Sequence, residues 1–295
     1  MTSVAFLGLG AIGTPMARHL AAHHALTVWN RTAERAHRFA AATSAQLAPT
    51  PAAAARAASV VITCLPSSRE VEALLDGPDG LEAGLSEGST LVDCTSGDPA
   101  SSQRIAARLA ARGVRFLDAP VSGGVIGAER AALTVMVGGD AATLEAVQPI
   151  LARVAQKLVH VGPVGAGHAL KAVNNAMLAT HIWSLAEGLL ALERAGVDPG
   201  VAIDVINASS GRSNTSEHLF PQRVLTREYP RTFRLALLDK DVRIATEVAR
   251  DGGVPAPLLD LVSGLLHEAR AALGEEADHV EMVKHVEHRA GVHRE

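Results

Sequence analysis

The run Gly8-Leu9-Gly10-Ala11-Ile12-Gly13 constrains the fold more than any other feature of this chain. A strand-like apolar segment, residues 4–7, leads into it, and a helical pattern, residues 12–22, leads out. A second apolar segment ends at Trp29, so the glycines open a βαβ unit of about thirty residues. Each glycine then has a physical reason. Gly8 permits a tight turn, Gly10 lets the backbone approach a pyrophosphate, and Gly13 lets helix and strand pack closely. The helix start presents unpaired N–H groups and the positive end of a dipole to phosphate. Gly8, Leu9, Gly10, Ala11, Ile12 and Gly13 are therefore expected to hold a dinucleotide.

Strand-like segments recur at residues 26–29, 60–64, 90–93, 115–117, 133–137 and 158–161. Helical stretches at 33–41, 69–75, 99–111 and 141–154 fall between most of them. Such alternation predicts an α/β, doubly wound, mostly parallel Rossmann-type sheet with right-handed crossovers. After Gly162 no further strand pattern appears. Residues 165–194 read as one long helix, stopped at Gly196-Val197-Asp198-Pro199. Shorter helices are expected at 201–208, 237–251, 257–272 and 278–288. The expectation is a nucleotide-binding domain over residues 1–162. An all-helical substrate and oligomerisation domain, begun by the long helix, should cover residues 163–295.

The end of the second strand bears on which dinucleotide fits. An acidic residue there would bind a ribose 2′-hydroxyl and favour NAD. This chain has Asn30-Arg31-Thr32, and its nearest carboxylate, Glu34, lies inside the next helix. Arg31 can pair with a 2′-phosphate, and Asn30 and Thr32 can hydrogen-bond it, so NADP is favoured. The competing reading makes Arg31 a solvated residue and Thr32 a helix cap.

Composition excludes several classes. With 27 Lys+Arg against 31 Asp+Glu the net charge is −4, which argues against a nucleic-acid binder. No apolar run approaches the roughly 18 residues of a membrane span. The N-terminal residues lack the basic region of a signal peptide. Cys64 and Cys94 have neither metal-ligand nor disulfide-framework spacing, so a reducing, cytoplasmic location is expected. His285 and His288 stand at i, i+3 without an acidic or cysteine partner at matching spacing, so no metal site is expected.

Of the 27 basic residues only Lys157, Lys171, Lys240 and Lys284 are lysine. Lys171, Asn174, Asn175 and Leu178 stand at i, i+3, i+4 and i+7, on one face of a helix. An ammonium at Lys171 could give a proton to a carbonyl oxygen as hydride arrives, and the neutral amine could take it back. Arginine cannot shuttle a proton in this way. Ser122-Gly123-Gly124 offers a hydroxyl and two unobstructed N–H groups to a carboxylate, or is a plain loop. Arg212 is a second candidate anion contact, or a helix-cap salt bridge. His168, three residues before Lys171, either touches the site's face or packs.

Four motifs stand in order: Gly8 to Gly13, Asp118-Ala119-Pro120-Val121-Ser122-Gly123-Gly124, the segment from Gly162 to Asn175, and Leu238-Asp239-Lys240-Asp241. Together they make the chain resemble the β-hydroxyacid dehydrogenases, such as 3-hydroxyisobutyrate dehydrogenase and related semialdehyde reductases, over essentially its whole length. The resemblance implies an NAD(P)-dependent oxidoreductase acting on a small carboxylate, and a homodimer or homotetramer. It implies Lys171 as acid/base and Ser122, Gly123 and Gly124 on the substrate carboxylate, while the shared helix face lets Asn175, and Asn174 with it, orient the lysine and the substrate hydroxyl. It places Lys240 at the cofactor and the Leu65-Pro66 turn against the adenosine part. The family's Ser-Thr pair after the fourth strand is reversed here as Thr95-Ser96, so Ser96 takes the position near the nicotinamide. Two other readings share the architecture: an imine reductase, which usually lacks the lysine, and a non-catalytic oligomerising member that has lost it. Lys171 argues against both.

Overall fold

The computed structural model describes residues 2–294. The chain divides into two compact units, Met1–Lys171 and Ala172–Glu295.

In the first unit the strands are β1 (Ser3–Leu7), β2 (Ala25–Trp29), β3 (Gln46–Leu47), β4 (Val60–Thr63), β5 (Thr90–Asp93), β6 (Arg115–Asp118), β7 (Val121–Ser122), β8 (Leu133–Gly139) and β9 (Ala155–Gly162). Its helices are α1 (Gly13–Ala21), α2 (Ala33–Ala41), α3 (Pro51–Arg56), α4 (Ser68–Leu75), α5 (Leu81–Gly84), α6 (Pro99–Ala110), α7 (Gly124–Glu129) and α8 (Ala141–Leu151). One sheet runs in the order β3-β2-β1-β4-β5-β6-β8-β7, with β9 on β8. Strands β1 to β6 are mutually parallel where they pair, whereas β8 runs antiparallel to β6 and β7. The expected doubly wound Rossmann-type sheet is present. The two-residue strands β3 and β7 escape a sequence reading because they are too short to show a period.

Alternate side chains of β1 feed two cores. Val4 and Phe6 join Met16, Leu20, Val28 and Ile62 on one face. Ala5 and Leu7 join Val61, Leu75, Leu91 and Ile105 on the other. A strand buried on both faces needs an unbroken apolar run, which is why residues 4–7 carry no polar side chain. Strand order reverses at β1, with β2 on one side and β4 on the other. Crevices at such reversals are where open α/β sheets bind ligands.

Helix α9 (Ala166–Arg194) begins in the first unit and continues into the second. There it is followed by α10 (Pro199–Asn207), a π-helical stretch (Thr215–Val224), α11 (Leu235–Asp251), α12 (Pro257–Leu273), a 3₁₀ turn (His279–Glu281) and α13 (Met282–Arg289). Trp183, Phe220, Leu238, Val242, Leu266 and Val283 build its core. The π-helical stretch lies where the sequence offered no element. Among the described residues no helix is long and apolar enough to cross a membrane.

The division into two compact units falls inside α9, after Lys171. The cause is local. Asp118, at the end of β6, accepts hydrogen bonds from Gly165 N (2.7 Å) and His168 N (3.0 Å), so a sheet residue caps the long helix. A side chain on Gly167 would lie 2.4 Å from Met136 O. The first turn of α9 is therefore pressed onto the sheet.

Candidate cofactor and active site

The three glycines of the first loop have different causes. Gly8 has φ +107°, and a Cβ there would lie 2.2 Å from Cys64 O. At Gly13 a Cβ would meet Gly8 O at 2.0 Å. Both glycines are required by the protein's own packing. At Gly10 a Cβ would have nothing within 4 Å. The missing side chain at Gly10 thus leaves open space at the start of α1. That helix has no side-chain cap at its N-terminus and no acidic residue in its first turn. Open space beside uncapped N–H groups fits the phosphates of a dinucleotide.

Asn30 ties this loop to the end of β2. Its Oδ1 accepts from Leu9 N at 2.8 Å, and its Nδ2 donates to Thr32 O at 2.9 Å. Asn30 thus shapes the loop, a role not foreseen in reading it as a phosphate contact. Thr32 stands at the N-cap of α2 without making a side-chain cap hydrogen bond. Arg31 is exposed and has no hydrogen bond or ion pair among the described residues, whereas Arg38 pairs with Glu34 at 3.7 Å. A cavity of about 370 Å³ lies beside this segment, lined by Trp29, Asn30, Ala33, His37, Leu47 and Pro49 among others.

The ends of β4 and β5 carry a buried polar network. Asp93 accepts from Thr63 Oγ1 (2.8 Å) and from Thr95 N (3.1 Å). Thr95 Oγ1 accepts from Leu65 N at 3.1 Å, which fixes the Leu65-Pro66 turn over Gly8. The Thr95 hydroxyl is buried in this bracing role, while Ser96 beside it is only half-buried. Burial, with the Asp93 carboxylate nearby, pushes the Cys64 thiol up to about 12. Burial likewise pushes Cys94 up, helped by Cys64 and Asp93. Neither cysteine is therefore a nucleophile at neutral pH.

Strand β7 positions Ser122 by pairing it with Thr134 of β8. Gly123 (φ +133°) and Gly124 (φ +64°) then turn the chain into α7, in backbone conformations that favour glycine. Both glycines are exposed. The Ser122 hydroxyl has no partner among the described residues. The segment is a strand-to-helix turn.

Lys171 is half-buried in the second turn of α9. Further along the helix, in the second unit, the amides separate: Asn174 is exposed and Asn175 is 3 % exposed. Asn174 Nδ2 donates to Asn175 Oδ1 (3.2 Å), and Asn175 Nδ2 donates to Asp241 Oδ2 (2.6 Å). Lys240 Nζ donates to Asp241 Oδ1 at 2.7 Å. One buried carboxylate thus joins Asn175 to Lys240, and the sequence reading passed over it. Its signal was the acidic residue next to Lys240. Arg212 is largely exposed and lies 3.7 Å from Glu217, which matches the ion-pair alternative. A cavity of about 480 Å³ in the second unit, near Phe220, Arg227 and Glu287, holds none of the motif residues. Among the described residues no three His, Cys, Asp or Glu side chains could together hold a metal.

A family profile described as the NAD-binding domain of 6-phosphogluconate dehydrogenase matches residues 3–162. One described as the NAD-binding region of NADP-dependent 3-hydroxyisobutyrate dehydrogenase matches residues 165–286. The chain is 35 % identical over 275 residues to 2-(hydroxymethyl)glutarate dehydrogenase of Eubacterium barkeri, covering 92 % of this chain and 91 % of that one. It is 35 % identical over 272 residues to 3-hydroxyisobutyrate dehydrogenase of Pseudomonas aeruginosa, covering 90 % and 91 %. Among solved structures, 3-hydroxyisobutyrate dehydrogenase of Mycobacterium tuberculosis with L-serine superposes with a TM-score of 0.88 at 30 % identity, covering 97 % of this chain and 99 % of that one.

Proposed function

The chain belongs to the β-hydroxyacid dehydrogenase family, and from that premise we propose that it is an NADP-dependent enzyme interconverting a small 3-hydroxy acid and its semialdehyde, with Lys171 as proton donor and acceptor. That it is an NAD(P)-dependent oxidoreductase follows from the family. The observation that carries the finer reading is Lys171 itself, a titratable amine in the second turn of a helix whose first turn Asp118 caps from the sheet. The names of the relatives support a hydroxyl-bearing carboxylate, and L-serine in the mycobacterial structure is one too.

When bound, NADPH would supply the hydride in reduction and NADP⁺ would accept it in oxidation. The open space at Gly10 and the N-terminus of α1 would receive its phosphates, Arg31 and Thr32 the 2′-phosphate, and Ser96 and Lys240 its nicotinamide end. Ser122, with the N–H groups of Gly123 and Gly124, would hold the substrate carboxylate. In oxidation Lys171 takes the proton from the substrate hydroxyl as the adjacent carbon loses hydride. In reduction Lys171 returns that proton to the carbonyl oxygen. Asn175, braced by Asp241, orients the amine and the hydroxyl, and Asn174 steadies Asn175. We propose a cytoplasmic enzyme that forms a homodimer or homotetramer; the association is supported by exposed apolar Val201 and Val205 on α10 and Leu258 and Leu261 on α12.

The test is NADP⁺ reduction with 3-hydroxyisobutyrate, L-serine and 2-(hydroxymethyl)glutarate, and NADPH oxidation with semialdehydes and a cyclic imine. Lys171→Ala is expected to lower kcat by about 10²–10⁴-fold. Equal turnover by wild type and Lys171→Ala would remove Lys171 from the chemistry, and preference for the imine would favour the imine-reductase alternative.

A further inference from the structure

His168 is fully buried, and every polar atom of its ring and its main-chain N–H is engaged. Ring Nε2 lies 2.9 Å from Thr95 O. A carbonyl only accepts, so Nε2 carries the proton, and in the neutral ring Nδ1 is then the acceptor. Ser102 Oγ lies 2.6 Å from Nδ1 and 3.1 Å from Asp98 O, so its hydroxyl proton is best given to the ring. The main-chain N–H of His168 donates to Asp118 Oδ2 at 3.0 Å. A side chain on Gly97 would lie 2.8 Å from the ring's Cε1, so the loop after β5 closes directly on the imidazole. Asp93 Oδ2, buried and without a hydrogen-bond partner among the described residues, stands 4.0 Å from Nε2 and favours a proton on that nitrogen.

This is more than a packed core residue requires. The three bonds reach three separate elements: the end of β5, helix α6 and the end of β6. The carbonyl that Nε2 holds belongs to the Thr95–Ser96 peptide, so the same bond orients the backbone of Ser96. Lys171 stands three residues beyond His168, on the neighbouring surface of the same helix. Fixing the rotation of the first turn of α9 therefore fixes where the Lys171 stem leaves the helix.

We propose that His168 is the positioning residue for Lys171, setting the rotation and depth of the first turn of α9 against the end of β5 while holding the Thr95–Ser96 peptide. This rests on the reading of Lys171 as the proton carrier. A displacement of about 1 Å in such a group can cost about a hundredfold in rate, so a residue that never touches substrate can still govern kcat.

The experiment compares wild type, His168→Ala, His168→Gln and Lys171→Ala in two measurements. The first is amide hydrogen exchange of the cofactor-free protein, read over residues 166–171 and, as reference, over 141–151. His168→Ala should speed exchange of the first segment by about tenfold and leave the second unchanged. The second is steady-state oxidation of 3-hydroxyisobutyrate and L-serine with NADP⁺. His168→Ala should lower kcat by about ten- to a hundredfold, with KM for NADP⁺ changed less than about threefold. His168→Gln, whose amide can still donate toward Thr95 O, should recover most of both losses. Unchanged exchange at residues 166–171 overturns the proposal. So does a wild-type kcat in His168→Ala when Lys171→Ala is inactive, because the lysine then needs no such support. Full activity in Lys171→Ala would instead sink the proposed function, and the exchange result would still show whether His168 pins the turn.

Discussion

The two units bury carboxylates in different ways. In the first, Asp93 and Asp118 are buried and are held by hydroxyl and backbone N–H donors where strands end. In the second, the buried acids Asp239, Asp241, Asp278 and Glu287 each face a cation: Arg270, Lys240, Arg223 and Arg227. The reason lies in the backbone. Strand ends and the loops after them leave N–H groups unspent, whereas helices consume their own beyond the first turn. A helical unit must therefore satisfy a buried acid largely with side chains. Where the second unit does offer free N–H groups, at Thr232 and Phe233 before α11 and at Val280 in the 3₁₀ turn, Asp278 takes all three.

The largest effect should come from breaking that ionic pattern at Asp278. Its carboxylate also accepts from Thr232 Oγ1 and Arg223, and caps the 3₁₀ turn reciprocally with Glu281. Asp278→Ala should destabilise the protein by about 3–5 kcal/mol, read by urea unfolding, because the donors lose a buried partner. The pH dependence has a definite sign. Burial pushes this carboxyl up, but the hydrogen bond and charge of His279, with the N–H groups of Thr232 and Phe233, outweigh it and hold the group well below the usual carboxylate range. A depressed folded-state value stabilises above the unfolded value of about 3.9 and is lost as pH falls below it. The stability gap between wild type and Asp278→Asn should therefore be widest near neutral pH and narrow below about pH 4. A gap that widens with acid would contradict this account.

The two units also differ in how plainly they could be read. In the first, the Gly8 to Gly13 run and the period of strands and helices pointed to the sheet because short-range physics dictates both. The ionic pattern of the second was illegible, since Arg227 and Glu287, or Arg223 and Asp278, are far apart in sequence and any Arg could pair with any acid. The same limit applied to His168 and Asp241. Each sits inside a motif that was recognised, yet its partners come from distant segments: Ser102 and Thr95 for one, Asn175 for the other. Asn30 illustrates the converse. A residue expected at a ligand also serves the loop itself, which uses both ends of its amide.

The glycine loop tests whether the first unit separates folding from binding as its geometry suggests. Gly13→Ala would drive a methyl group toward a backbone oxygen that cannot swing away, so a loss of about 1–3 kcal/mol is expected. Gly10→Ala meets no protein atom and should change stability by less than about 0.5 kcal/mol. Its cost should appear in NADP⁺ binding, weakened by about tenfold in a fluorescence titration, because the methyl enters the space assigned to phosphate. If Gly10→Ala bound NADP⁺ as wild type does, that space would not be the phosphate site.

The smallest effect, and the sharpest for the cofactor, concerns Arg31. Ion pairs hold the buried acids of the second unit, whereas Arg31 in the first is an exposed cation with no partner among the described residues. If its partner is the 2′-phosphate, Arg31→Ala should raise KM for NADPH by about tenfold and leave KM for NADH nearly unchanged. Because Arg31 is exposed, the NADPH preference of the wild type should also shrink as salt rises, while that of Arg31→Ala should stay flat. Equal effects of the substitution on both cofactors would return Arg31 to the solvated surface and leave the choice between NADP and NAD to other residues of the loop.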